Sequence, residues 1–511
     1  MTADRPFFIT TPIYYVNDLP HLGHAYTTVA CDALARFMRL DGRRVKFLTG
    51  TDEHGQKVEQ SARAAGISPQ QFADRISAEF REVTRLLDIT NDDYIRTTEP
   101  RHTRAVQAFW QELERRGEIY LGRFAGWYSV RDEAFYEESE LIDGKAPTGA
   151  GVEWFEEENY FFRLSAWQDR LLAYHDANPD AVAPRSRRNE VISFVRGGLK
   201  DLSISRTSFS WGIPVPGNPR HVIYVWLDAL TNYITALGYP DVDNKDFSTF
   251  WPTALHVVGK DILRFHSVYW PAFLMAAGLD PPRRVFANGW WTVEGQKMSK
   301  SLGNVIPPQQ MVETYGVDPV RYFLLRELPF GSDGDFSHRA VVGRLNGDLA
   351  NDFGNLAQRV LVMINRDCGA TMPEPGALAA ADGALLDGAS GLLETVRKHM
   401  EEQAFHLALE AIWRVVAEAN RYVDEQAPWA LRRSDPARMR TVLHTLAETI
   451  RNLAIIVQPF VPMTASKLLD QLSVPETARN FAALEGPPPV PGTRLPRPEG
   501  IFPRFIDASS T

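Results

Sequence analysis

The residues best suited to chemistry are two histidines three apart, His21 and His24 in "PHLGHAY", and two lysines three apart, Lys297 and Lys300 in "GQKMSKSLGN". The histidine pair admits three readings. A zinc pair of the protease kind wants a spacing of four on one helical face and an acid beside the first ligand. Here the spacing is three and no acid lies between. A helix that merely starts with histidines is the second reading, since Pro20 sets a helix start. An anion site is the third: a helix N-terminus offers N–H groups without intrahelical partners and the positive end of a dipole, so phosphate is its natural guest. Gly23 permits close backbone approach, and imidazoles can donate to phosphate oxygens. The lysine stretch, flanked by glycine and serine, reads by default as a solvated turn.

The neighbouring elements favour the anion. "FFITT" (7–11) is a buried-strand pattern, apolar residues from Leu22 onward recur at helical spacing, and Gly42 sits where a helix ends. "RVKFLTG" (44–50) is a second strand. Strand, helix, strand within about fifty residues is a βαβ unit with a parallel sheet. Ligands of such sheets lie beyond the carboxyl ends of the strands, where His21, Gly23 and His24 fall. The dinucleotide pattern G-x-G-x-x-G is absent, so a nucleotide must be gripped differently. In "GTDEHG" (50–55), Asp52 can pair with an ammonium group, or Asp52 or Glu53 can simply cap the next helix.

"HLGH" and "KMSKS" in one chain form the motif pair of class I aminoacyl-tRNA synthetases. With "PIYYVND", "GTDEHG", "YVWLDAL", "GKDILRFHSVYWPA" and "NRYVDEQAPW", the chain resembles the methionyl-tRNA synthetase family from about residue 5 to at least residue 460. The resemblance implies that methionine and ATP form methionyl-adenylate and pyrophosphate, and that methionine then passes to tRNA. A carboxylate nucleophile needs no general base, so positioning and charge stabilisation can carry the first step. It assigns catalysis to His21, His24, Lys297 and Lys300, and ATP binding to His21, Gly23, His24, Gly259, Asp261 and Lys300. Mg²⁺ is expected to accompany ATP, held through phosphate and water.

The methionine pocket implied by matching positions is Ile13, Tyr15, Asp52, Val225, Trp226, Ala229, Leu230, Tyr233, Ile262, Phe265, His266 and Trp270, with Asp52 meeting the ammonium. A plain core role for its Trp and Tyr residues is the competing reading, and the stronger one on sequence alone. Apolar and aromatic walls suit a thioether. Homocysteine is hard to exclude by binding, since one methyl yields only ~1–3 kcal/mol. "NDFGNLAQR" and "EQAPWAL" match anticodon-reading segments and single out Asn355, Arg359 and Trp429, the last as a stacking platform.

At 511 residues the chain is too long for one core, which implies about two to four domains. The expected fold is α/β: a Rossmann-type parallel-sheet catalytic domain split by an inserted connective domain, then an all-α bundle. Boundaries are placed at 1–117 and 221–290 for the catalytic halves, 118–220 for the insertion, 291–345 for the lysine loop and connecting segment, and 346–511 for the bundle. "HVIYVWL" (221–227), "ALHVVG" (254–259) and "RVFANG" (284–289) are further strand candidates.

With 55 basic and 64 acidic residues the net charge is −9, so tRNA contacts need local basic patches. Candidates are Arg96, Arg101 and Arg104, then Arg185, Arg187 and Arg188, then Arg432 and Arg433; a solvated face is the simpler account of each. Two cysteines, Cys31 and Cys368, exclude a disulfide scaffold. The insertion holds none, and Ser129 and Asp132 stand where the zinc-bearing branch has thiolates, so no structural zinc is expected. No signal-peptide pattern or membrane-length apolar run is present, and a cytoplasmic monomer is expected. Valyl-, isoleucyl- and leucyl-type enzymes usually carry a longer editing insertion. A small nucleotidyltransferase would lack "KMSKS", and a catalytically dead tRNA-binding paralogue would not need both histidines and both lysines. The tRNA partner is expected to include initiator and elongator forms.

Overall fold

A computed structural model describes residues 5–131, 134–136, 138–297 and 303–506. Its centre is a parallel sheet in the order Asp93–Arg96, Arg44–Asp52, Pro6–Thr10, Leu255–Gly259, Arg284–Asn288, Val182–Ala183, with Tyr14–Tyr15 also pairing along Arg44–Asp52. Every pairing is parallel. The chain runs outward from the Pro6–Thr10 strand on one side and returns on its other side, so the order reverses between Pro6–Thr10 and Leu255–Gly259. A crevice opens at such a reversal.

The Leu22–Leu40 helix crosses between the first two long strands, as the periodicity implies, and Gly42 adopts φ 78° just past its end. That left-handed turn is one a side chain resists. Residues 119–203 hold an antiparallel sheet, Ala134–Tyr136, Ile119–Ser129, Glu153–Phe162, Leu202–Ser203. The stretch 118–220 is not wholly apart from the parallel sheet, because Val182–Ala183 pairs with Arg284–Asn288.

The strand expectation at 221–227 needs correction. Asn218–Ile223 joins a small antiparallel sheet with Ser205–Arg206 and Pro214–Val215, and Val225–Thr235 is a helix. A short apolar run reads alike for a strand and a buried helix, and this one holds the junction of both.

From His338 onward helices dominate, with Asn355–Asp367, Ala380–Glu401, Phe405–Gln426 and Pro436–Val457 as the long members. The bundle and the Leu22–Leu40 helix share one continuous apolar core. Arg321, fully buried in that seam, pairs with Asp32 at 2.6 Å and donates to the carbonyls of Leu87 and Pro459. It therefore links the helix that starts at the histidines to the loop after Pro436–Val457. Among the described residues no helix is long and apolar enough to cross a membrane.

Candidate active site

The Leu22–Leu40 helix is capped by its own histidines. His21 Nδ1 accepts from the Gly23 N–H at 3.0 Å, and His24 Nδ1 accepts from the His21 N–H at 3.1 Å. This is a capping box with imidazoles in place of hydroxyl and carboxylate. A ring nitrogen that accepts carries no proton, so each neutral ring bears its proton on Nε2. Burial lowers the His21 pKa despite the nearby carboxylates of Asp18 and Asp261, and burial with the neighbouring His21 holds His24 well below the ordinary value. Two neutral rings can then stack, with centroids 3.8 Å apart, without the repulsion of two cations. The helix-start reading and the anion reading are compatible: the cap selects the tautomer that donates through Nε2. A Cβ at Gly23 would lie 3.0 Å from His21 Cε1, so a side chain there would displace the ring.

The Leu22 N–H donates to the Ile306 carbonyl at 3.0 Å, tying this helix start to the stretch that follows the lysine motif. The backbone of Lys297 lies in the short Gln296–Lys297 strand. Its side chain, and all of Lys300, lie outside the described residues.

Gly259 ends its strand beside Asp261, where a Cβ would sit 2.5 Å from Asp261 Oδ1. The charge of that carboxylate also acts on His21 against its burial, and Gly259 ends one of the two strands between which the sheet order reverses. Trp290, which sequence reasoning missed, donates its indole N–H to Asp261 Oδ1 at 3.2 Å. Lys260 lies 4.3 Å over the Trp290 ring and pairs with Asp333 at 2.5 Å. Only a tertiary contact distinguishes Trp290 from any strand-edge tryptophan.

Of the twelve methionine-pocket candidates, Val225, Trp226, Ala229, Leu230 and Tyr233 share the Val225–Thr235 helix. Ile262, Phe265, His266 and Trp270 follow Gly259 in the next turns, Phe265 to Tyr269 forming a π-helix. Trp226 and Phe265 stack at 3.6 Å and 7°. His266 Nδ1 lies 3.0 Å from the Ile262 carbonyl, which can only accept, so Nδ1 carries the proton. Nε2 then accepts the Tyr233 O–H at 2.7 Å. Burial lowers His266 to about 4, so the ring is neutral at physiological pH. Trp270 and Tyr233 are buried as the core reading implies, whereas Trp226 and Phe265 are only half-buried. Ile13 packs with this cluster, but Tyr15 packs against a separate one that includes Tyr14, Val58 and Phe72. Asp52 is buried at its strand's carboxyl end, in register with Tyr15.

In the bundle, Asn355 opens its helix and is exposed. Arg359, one turn on, lies 5.5 Å from the Trp429 ring and pairs with Asp424 at 2.8 Å. Trp429 is 47% exposed.

Several basic candidates are committed to other groups. Arg96 holds Glu53 and Asp74, Arg101 holds Asp93 and Glu99, Arg187 holds Glu190, and Arg432 holds Asp367. Ser129 is buried in its strand, Asp132 lies outside the described residues, and among the described residues no cluster of three His, Cys, Asp or Glu is placed to hold a metal.

The family described as class I tRNA synthetases (M) matches residues 7–151 and 139–361, and the anticodon-binding domain of methionyl-tRNA ligase matches 372–509. The chain belongs to the methionyl branch of the class I aminoacyl-tRNA synthetases. It is similar to methionine–tRNA ligase of Brucella suis biovar 1 (strain 1330), 58% identical over 98% of each chain. The enzyme of Rhizobium meliloti (strain 1021) is 55% identical over 99% of each. The structure of Mycobacterium tuberculosis methionyl-tRNA synthetase in complex with methionyl-adenylate superposes with TM-score 0.96 at 54% identity, covering 98% of this chain and 100% of that one. The same enzyme in its free state gives 0.89 at 50% identity, with 98% and 99% covered. This synthetase therefore carries the family's α/β catalytic fold and helical anticodon-binding region, and it is a ligase.

Proposed function

We propose that His21, Gly23 and His24, with Lys297 and Lys300, hold the phosphates of ATP while methionine attacks the α-phosphorus. The chain's reaction is the family's ATP-dependent ligation of methionine to tRNA through methionyl-adenylate, releasing pyrophosphate and AMP. What supports the residue assignment is the reciprocal histidine cap, which leaves two stacked neutral rings with Nε2–H donors at a positive helix end, where sheet order reverses.

Gly259 and Asp261 would hold adenosine, the carboxylate accepting from ribose hydroxyls in place of the Trp290 indole. Asp52 would pair with the methionine ammonium. Trp226, Phe265 and the Tyr233–His266 pair would line the thioether, with Ile13, Val225, Ala229, Leu230, Ile262 and Trp270 behind them and Tyr15 beside Asp52, its partner in register. Mg²⁺ would enter as part of the ATP complex, through phosphate oxygens and water. Asn355, Arg359 and Trp429 would read anticodon bases by stacking and hydrogen bonding. The same reading places a monomer in the cytoplasm, free of structural zinc, serving initiator and elongator tRNA, with catalysis divided from anticodon reading near residue 346.

Pyrophosphate exchange measured across the twenty amino acids tests the reading. Methionine alone should support exchange at full rate. Equal exchange with valine, isoleucine or leucine, or none with methionine, would refute it.

A further inference from the structure

We propose that His54, Asp228 and His102 form a positioning relay that holds Asp52 at a set distance from the pocket helix and so sets affinity for the ammonium group of methionine. The inference rests on the assignment of Asp52 made above.

Of the acids and the histidine in "GTDEHG", the proposed reaction uses only Asp52. The strand ends at Asp52, and Glu53 and His54 follow it directly. Glu53 is fully buried and clamped: Arg96 donates to its two oxygens at 2.6 and 2.9 Å, Thr98 at 2.6 Å and Thr51 at 2.7 Å. Its carbonyl accepts from Trp211 Nε1 at 2.5 Å. His54 is held by different partners: its Nδ1 meets Asp228 Oδ2 at 2.6 Å. Asp228 Oδ1 meets His102 Nε2 at 2.8 Å, and His102 Nδ1 meets Thr235 Oγ1 at 3.2 Å.

All three members are buried, and they belong to three different elements. His54 follows the Asp52 strand, His102 lies in the Pro100–Arg115 helix, and Asp228 sits on the Val225–Thr235 helix between Trp226 and Ala229. Burial pushes the Asp228 carboxyl up, but the two imidazoles outweigh it and hold the group below the ordinary value. A buried carboxylate with one hydrogen-bonded imidazole on each oxygen is costly to pull apart. The relay therefore pins the end of the strand that carries Asp52 to the helix that carries the side-chain walls. Those two elements receive opposite ends of the amino acid, so the pin sets the span between them.

A pin that only stabilised the fold would not discriminate between ligand groups, which supplies the test. In the full chain, pyrophosphate exchange is measured for Asp228→Asn, His102→Leu, His102→Gln, Asp52→Asn and the Asp52→Asn/Asp228→Asn double variant. The desamino analogue 4-(methylthio)butanoate serves as a competitive inhibitor that lacks the ammonium. Asp228→Asn and His102→Leu should each raise the methionine KM about 10-fold, while the ATP KM and the analogue's inhibition constant stay within about twofold. His102→Gln, which keeps an N–H donor for Asp228, should restore most of the affinity. On the Asp52→Asn background, Asp228→Asn should add less than about twofold.

Equal losses for methionine, ATP and the analogue, or independent multiplication with Asp52→Asn, would overturn the relay. So would loss of the folded state in both Asp228→Asn and His102→Leu, which would make it a scaffold element. An Asp52→Asn chain with unchanged methionine KM would instead remove the ammonium assignment, and the inference with it.

Discussion

At the start of the Leu22–Leu40 helix two imidazoles are stacked, largely buried, and bonded to the backbone they cap. In the helical half, Arg359 and Trp429 stand at the surface, joined by a cation–π approach and an ion pair to Asp424. The difference fits what each place is proposed to hold. Charge developing on phosphate is best met by donors already fixed, because donors that must reorganise lose part of their effect. A base from a single-stranded loop is met by a flat exposed face, since every base offers a π-surface to stack on. One region invests in buried polar order, the other in an accessible platform.

The strongest way to break that comparison is at the histidine end. His24→Ala or Lys300→Ala should reduce methionine-dependent pyrophosphate exchange by roughly 10²- to 10³-fold, the usual cost of one oxyanion donor. Circular dichroism should show the fold retained. Exchange within about threefold of the parent in both variants would contradict the phosphate assignment.

Trp429→Ala should act on the other region alone. Stacking is worth ~1–3 kcal/mol per base, so aminoacylation should fall roughly 5- to 150-fold while tRNA-free exchange stays near the parent rate. Because the side chain is half-exposed, the thermal transition should hardly move. A lowered transition with normal charging by the folded fraction would return this residue to a packing role.

Acid should sharpen the contrast by a smaller margin. Among the described histidines whose pKa burial depresses, His21, His24, His175, His221, His256 and His266 precede the helical region and only His406 lies within it. For His266, about 4 when folded against ~6.5 unfolded, the unfolded chain binds more protons between those values. Stability should therefore be full above pH ~6.5 and fall as pH drops toward ~4, by on the order of 3 kcal/mol from this group. Urea unfolding across that range should show a shallower decline in His266→Gln. An identical decline would remove His266 as a source of the acid sensitivity.

The smallest expected effect is none. Elemental analysis should find no stoichiometric zinc, and exchange after treatment with a strong chelator should recover once Mg²⁺ is restored. One tightly bound zinc per chain would overturn the expectation drawn from Ser129, Asp132 and a cysteine-free insertion.

Much of both regions is written in short-range pattern. An apolar β-branched run, a proline, two histidines around a glycine and a helical repeat place His21 and His24 at a helix start after a strand, because those preferences depend on near neighbours and backbone sterics. The parallel sheet and the helical second half follow from periodicity in the same way, and so does Trp429 just after Pro428 at the opening of a short helix.

Pairings across the chain were not available at that range. The tautomers of His21 and His24 depend on backbone N–H groups fixed only when the turn closes. The indole of Trp290 against Asp261, the π-helix at Phe265–Tyr269 and the switch from strand to helix between Ile223 and Val225 depend on which elements pack together. His54 meets an aspartate 174 positions away, and that aspartate meets a histidine 126 positions back. Local sequence determines where a polar side chain starts. Only the packing of distant elements, by excluding water and leaving one partner within reach, decides what it is bonded to.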